Sequence, residues 1–274
     1  MIAALEGLLD ALRPSPAGAD RFRFEPAHGL FADRLFGGQL LAQATVVAGA
    51  TVEGKSPSAV HALFVETGEP GQPMVAVVDR ARDGRNVAMR HVRLEQGDRL
   101  VLEALLTFHT DRHGPDVTLA APLVDEASEL AAPLRGWSGG PLPIEVRMTE
   151  LLTFLGGTAA TGPRAHSMRV PHDLGDDPLL HAALLAYASD FFLMDVVFRS
   201  HPDGAGLGRW SGYSVDHAIW FHRPPRFDRW HRHTQEAVAL VGDRGLARGA
   251  LHDEEGRLVA TVSQEVVVRS QAAR

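Results

Sequence analysis

The chain has 274 residues, 45% of them apolar, with 27 Gly, 17 Pro, no Cys, and 27 Lys+Arg against 34 Asp+Glu for a formal net charge of −7. That length fits one large domain or two small ones, and the acidic balance lacks the basic footprint that nucleic-acid binding requires. The absence of cysteine excludes disulfides, thiolate nucleophiles, Cys-ligated zinc and iron–sulfur clusters.

At the N-terminus, Ile2, Leu5, Leu8, Leu9 and Leu12 recur at helical spacing, and Glu6 stands where a signal peptide needs basic residues followed by an apolar run. No stretch of about 18 uninterrupted apolar residues occurs, so no membrane span and a cytoplasmic protein are expected. A helix is expected from Phe36 to Val52, opened by Gly37-Gly38. Strands follow at Val60 to Val65, Met74 to Arg82, Asn86 to Glu95 and Arg99 to His109, with Asp83-Gly84 as a tight hairpin turn. From His113 the composition shifts to Pro, Gly, Ser and Asp without period, which reads as a linker. Within it, Gly136-Trp137-Ser138-Gly139-Gly140 has nucleophile-elbow spacing but lacks the strand and helix that motif needs.

The second half opens its helix at Asp177-Pro178, an N-cap acceptor followed by proline at the first helical position, and the helix is expected to run uninterrupted from Leu179 to Met194. Ala183, Leu184, Tyr187 and Phe191 line one face, and Asp190 interrupts it with a carboxylate. Gly204-Ala205-Gly206-Leu207-Gly208 lacks the flanks of a dinucleotide site and reads as a loop. Strands are expected at Ser214 to His222, Glu236 to Val241, Gly245 to Asp253 and Arg257 to Val268. Helix first and strands second argues α+β with antiparallel pairing.

The two halves echo each other. His61-Ala62-Leu63-Phe64 returns as His217-Ala218-Ile219-Trp220, and Arg99-Leu100-Val101 as Arg257-Leu258-Val259, in the same order, which favours a duplicated module. The domains expected are residues 1–112, a linker over 113–145, and residues 146–274. Equivalent placement of His61 and His217 favours a structural role for both. The other histidines show no His-Glu-x-x-His, His231 and His233 are taken to face opposite ways, and no metal or other cofactor is expected. Arg34, Arg209 and Arg223 are candidate phosphate contacts, though a surface arginine is commonly just solvated.

In the last strand, alternation puts Gln264 in the apolar row of Leu258, Ala260, Val262 and Val266. A buried amide without partners costs on the order of 1–3 kcal/mol, so Gln264 needs hydrogen-bond partners or a ligand. Its counterpart in the first half is Leu106, and that of Asp190 is Val46. The polar pair is therefore confined to the second half, where the two satisfy each other or the backbone, or carry chemistry.

Leu35-Phe36-Gly37-Gly38-Gln39, Arg82-Asp83-Gly84-Arg85, Leu185-Ala186-Tyr187-Ala188-Ser189-Asp190-Phe191, Asp216-His217-Ala218-Ile219-Trp220-Phe221-His222-Arg223-Pro224 and Gln264-Glu265 together resemble the type II acyl-CoA thioesterases. The resemblance spans nearly the whole chain, and the Asp-His-x-x-Trp-Phe-His-Arg-Pro run is its most specific piece. It implies a double hotdog, two modules in one chain, each a long helix wrapped by an antiparallel sheet. It implies hydrolysis of fatty acyl-CoA to free acid and CoA without a metal or covalent intermediate, with Asp190, Ser214 and Gln264 as the catalytic groups. Asp190 would be the general base, with Ser214 and Gln264 orienting the water and backbone N–H groups near the second helix serving the oxyanion. Val65-Glu66-Thr67-Gly68 departs from the family's Leu-Arg-Pro-Gly and bears on CoA contacts or assembly, and Ser214 replaces the commoner Thr. A homo-oligomer is expected. A hotdog enoyl-thioester hydratase would instead want an Asp-x-x-x-x-His dyad, and residue 195 is Asp. A non-catalytic acyl-CoA binding protein is the remaining alternative.

Overall fold

The structure is a computed structural model that describes residues 2–26, 30–111, 114–118, 141–148, 150–201 and 210–270. Its first half contains α1 (Ile2–Ala11), β1 (Ser15–Gly18), β2 (Arg21–Phe24), α2 (Gly37–Gly49), β3 (Ser56–Phe64), β4 (Met74–Asp83), β5 (Val87–Gln96) and β6 (Arg99–His109). Its second contains β7 (Glu145–Met148), a 3-10 turn (Thr153–Leu155), β8 (Arg164–Arg169), α3 (Pro178–Ser189), α4 (Leu193–Arg199), β9 (Trp210–Ser214), β10 (Asp216–Phe221), β11 (His231–Val241), β12 (Arg244–His252) and β13 (Leu258–Ser270). The linker motif Gly136–Gly140, the loop Gly204–Gly208 and Arg209 lie outside the described residues.

The strands form one antiparallel sheet in the order β1-β2-β4-β5-β6-β3-β10-β13-β12-β11-β8-β7, with β9 on β13. The seam is the β3–β10 pairing, where Asp216 faces Leu63 and Trp220 faces Ala59. Moving outward from that seam, β6, β5, β4 and β2 on one side answer β13, β12, β11 and β8 on the other. This α+β arrangement, antiparallel strands wrapped about paired helices, is the one a double hotdog predicts.

The helices fill the concave side. α2 packs on β3 to β6, α4 on β9, β11, β12 and β13, and α3 lies against α2. Gly49 meets Leu179 at one end of that helix pair and Gly38 meets Tyr187 at the other, so α2 and α3 run antiparallel. The side chain of Asp177 caps α3 by accepting the Leu179 N–H at 2.9 Å, with Pro178 at the first turn. Every residue from His181 to Ser189 is buried, so α3 is covered on all sides.

The expected single helix from Leu179 to Met194 is instead two. α3 ends at Ser189, Phe192 takes φ 68°, and α4 restarts at Leu193. Side chains from other strands capture the carbonyls freed at the break: Gln235 Nε2 donates to Phe191 O at 2.7 Å and Arg164 Nη2 to Phe192 O at 3.1 Å. The apolar stretch Pro178–Arg199 has the length to cross a bilayer, but it is broken here, and 89% of an 18-residue window within it is buried inside the protein.

Candidate active site

The break in the helix places Asp190 as the C-cap of α3, opposite the N-terminus of α2. Gln264 projects inward from β13 and is buried, as its alternation requires. Its Nε2 donates to Asp190 Oδ1 at 2.7 Å and also to Ser214 Oγ at the end of β9. A carboxylate only accepts, so the amide nitrogen must face it. Gln264 Oε1 is left without a partner among the described residues. Three groups from a helix end and two strands, far apart in sequence, thus converge on one point.

The Asp190 side chain is only 6% exposed. Burial pushes its pKa up to about 7, against the opposing pull of N–H donors from Gln264 and Gly38. The chemistry of a carboxylate in this setting is that of a base poised near neutrality. The Gly38 donor shows that the nearest helix N-terminus belongs to α2. The amide that reaches Asp190 at the C-cap of α3 is thus supplied by α2, the N-terminus of α3, at Pro178, being the end remote from it. The positive end of the α2 dipole faces the carboxylate instead. A Cβ on Gly37 would lie 2.7 Å from Asp190 Oδ2 and one on Gly38 2.2 Å from Tyr187 O, so only glycine allows this approach.

Aromatic rings wall the site. Phe36 meets Tyr187 at 5.3 Å and Phe191 at 4.8 Å between centroids, and Phe191 meets Phe192 at 5.3 Å. Trp220 lies elsewhere, on the outer face of the sheet, edge-on to His61.

His61 and His217 do not hold equivalent places. The β3–β10 register pairs His61 with Ala218 and His217 with Ala62, so His61 faces out while His217 is fully buried. A one-residue slip between echoed segments reverses the face. His217 Nε2 lies 2.9 Å from Ser189 Oγ, and its Nδ1 lies 4.0 Å from Asp190 Oδ1. Sequence reasoning gave neither His217 nor Gly38 a place here, because both act through tertiary contact. His231 and His233 are also corrected: residues two apart on a strand share a face, and both are buried. Among the described residues, no group of three His, Cys, Asp or Glu side chains could hold a metal ion.

Asp195, where a hydratase dyad would want histidine, serves the fold. Its carboxylate accepts from Arg164 Nη1 and from the N–H groups of Thr153 and Phe154 at 3.0 and 3.1 Å. Arg223 binds Asp116 and Leu258 O, and Arg34 pairs with Asp33, so neither stands free as a phosphate contact. Glu66, in the departure segment, lies 3.8 Å from Arg99, which also binds Glu69.

Residues 140–267 match the family model described as acyl-CoA thioesterase, and residues 25–109 match the one described as acyl-CoA thioesterase N-terminal domain. Acyl-CoA thioesterase 2 of Haemophilus influenzae is 29% identical over 251 residues, covering 86% of this chain and 88% of its own. Acyl-coenzyme A thioesterase 8 of Mus musculus is 27% identical, covering 86% and 80%. Among solved structures, the acyl-CoA thioesterase II of Mycobacterium marinum superposes with a TM-score of 0.80 at 27% identity, covering 97% of this chain and 100% of the other. A tesB protein of Mycobacterium avium subsp. paratuberculosis gives 0.81 at 26% identity, covering 97% and 99%.

Proposed function

The chain belongs to the acyl-CoA thioesterase family, and on that premise we propose that it hydrolyses fatty acyl-CoA to free fatty acid and CoA, with Asp190 as the base that activates water. The observation that carries the proposal is the buried carboxylate of Asp190 within 2.7 Å of Gln264 Nε2, which also reaches Ser214. Asp190 takes a proton from water as the water oxygen bonds to the thioester carbonyl carbon. The C–S bond then breaks, the electron pair leaves on sulfur, and the proton passes from Asp190 to that sulfur. Gln264 Oε1 and the Ser214 hydroxyl hold the water, and the positive end of the α2 dipole favours the developing oxyanion. A thioester is less resonance-stabilised than an ester and thiolate leaves readily, so a positioned base is sufficient and no metal is invoked.

We also read residues 1–112 and 146–274 as the two hotdog modules and 113–145 as their linker. The chain would assemble as a homo-oligomer through the outer sheet face, where Leu63, Leu105, Met89 and Trp220 are exposed. Acyl-CoA is polyanionic and does not cross membranes unaided, which supports placing the enzyme in the cytoplasm with its substrate.

Thiol release from short- to long-chain acyl-CoAs tests the function. The wild type releases CoA, and Gln264→Ala lowers kcat at least tenfold while remaining folded. A wild-type protein that binds acyl-CoA and releases no thiol would make it a binding module instead.

A further inference from the structure

His217 is fully buried on β10, and the β10–β13 register, with Ala218 facing Ser263, sets it beside Gln264. Burial holds its imidazole neutral, with its pKa pushed down to about 3. A neutral imidazole has one N–H and one lone pair, and which nitrogen carries which is set by the neighbours. Ser189 decides it. The Ser189 hydroxyl donates to Ala186 O at 2.8 Å, one of the last four carbonyls of α3, which lack the N–H partner that interior carbonyls have. Having spent its only proton there, Ser189 Oγ can only accept from His217 Nε2, 2.9 Å away. With the proton of His217 on Nε2, the lone pair on Nδ1 faces Asp190 Oδ1 across 4.0 Å, with no other partner among the described residues.

We propose that His217 is a positioning residue for the base, held by Ser189 in its Nε2–H tautomer so that the Nδ1 lone pair opposes ionised Asp190 and receives its O–H once the carboxyl is protonated. This rests on the thioesterase reading above and adds a part to it. Roughly 1 Å of movement brings the protonated carboxyl into hydrogen-bond range of Nδ1. The proton taken from water is thereby kept on Asp190 until sulfur leaves, and the proton affinity of the base is raised beyond what burial alone gives. The titratable groups facing Asp190 among the described residues are His217 on β10 and Tyr187 on α3, the latter kept neutral by burial. β13 and β9 present the neutral Gln264 and Ser214, and α2 presents the Gly38 amide. His233 on β11, also neutral through burial, stands behind His217.

The test is the acid limb of the kcat profile. His217→Gln keeps a donor for Ser189 and removes the lone pair. Ser189→Ala frees His217 to change tautomer and point an N–H at Asp190. Removing the lone pair destabilises protonated Asp190, so the limb moves to lower pH by roughly half a unit or more in His217→Gln and Ser189→Ala, with KM unchanged. If His217→Gln does not fold, Ser189→Ala carries the test alone. Folded His217→Gln and Ser189→Ala variants that turn over with the wild-type limb would overturn the proposal. Absence of thiol release by the wild type would instead reject the underlying reading.

Discussion

Two N–H donors, from Gln264 and Gly38, reach the carboxylate of Asp190, and in water either would hold its pKa down; desolvation outweighs both and pushes it up to about 7. The same displacement bears on stability. Because the folded-state value lies above the unfolded one, near 3.9, the folded protein binds this proton more tightly. The stabilising contribution is complete below about pH 4 and is lost as pH rises towards 7. Above that the ionised carboxylate burdens the fold by up to roughly 4 kcal/mol. Asp190→Asn removes the charge, though its amide meets one N–H donor head-on, which offsets part of the gain. The variant is expected to be more stable than the wild type by roughly 1–3 kcal/mol at about pH 8, with the difference shrinking towards about pH 5. Denaturant melts at both pH values check this, and a variant less stable at the higher pH would contradict it.

At the level of elements, the site depends on where helices end. α3 stops one residue before Asp190 although Ser189-Asp190-Phe191-Phe192-Leu193 contains no glycine or proline to signal it. The left-handed Phe192 costs about 1–2 kcal/mol, less than the roughly 3–5 kcal/mol lost on truncating a buried Phe, so packing wins over backbone preference. The start of α2 is equally constrained. Gly38→Ala places a Cβ 2.2 Å from Tyr187 O, a backbone atom that cannot step aside without moving α3. Turnover is expected to fall at least tenfold, because the Gly38 amide and Asp190 are driven apart. Gly7→Ala, in α1 with nothing within 4 Å of the added Cβ, serves as the control and adds roughly 0.5–1 kcal/mol of helix stability without changing turnover. Equal losses of turnover in the two variants would argue against the α2–α3 contact as part of the site.

Across the whole molecule, residues of both halves meet at one point beside the seam, the acid and amide from the second and the glycine amide from the first. Period-two alternation in β13 made Gln264 legible from sequence, since an amide in a row of Ala and Val has to be explained. The bounds of β6, Arg99 to His109, were legible for the same reason. The short strands β1, β2, β7 and β8 escaped, being only 4 to 6 residues long and too brief to establish a period. The inward turn of His217 escaped because an echo of residue types does not fix the face. The central claim is that ionised Asp190 is the base. It is tested most directly by kcat/KM for acyl-CoA hydrolysis against pH, in the wild type and in Asp190→Asn. The wild type should rise through about pH 7 to a plateau, and the variant should be pH-independent there and at least about a hundredfold lower. A wild-type limb near pH 4, or an Asp190→Asn variant that keeps the wild-type profile, would contradict it.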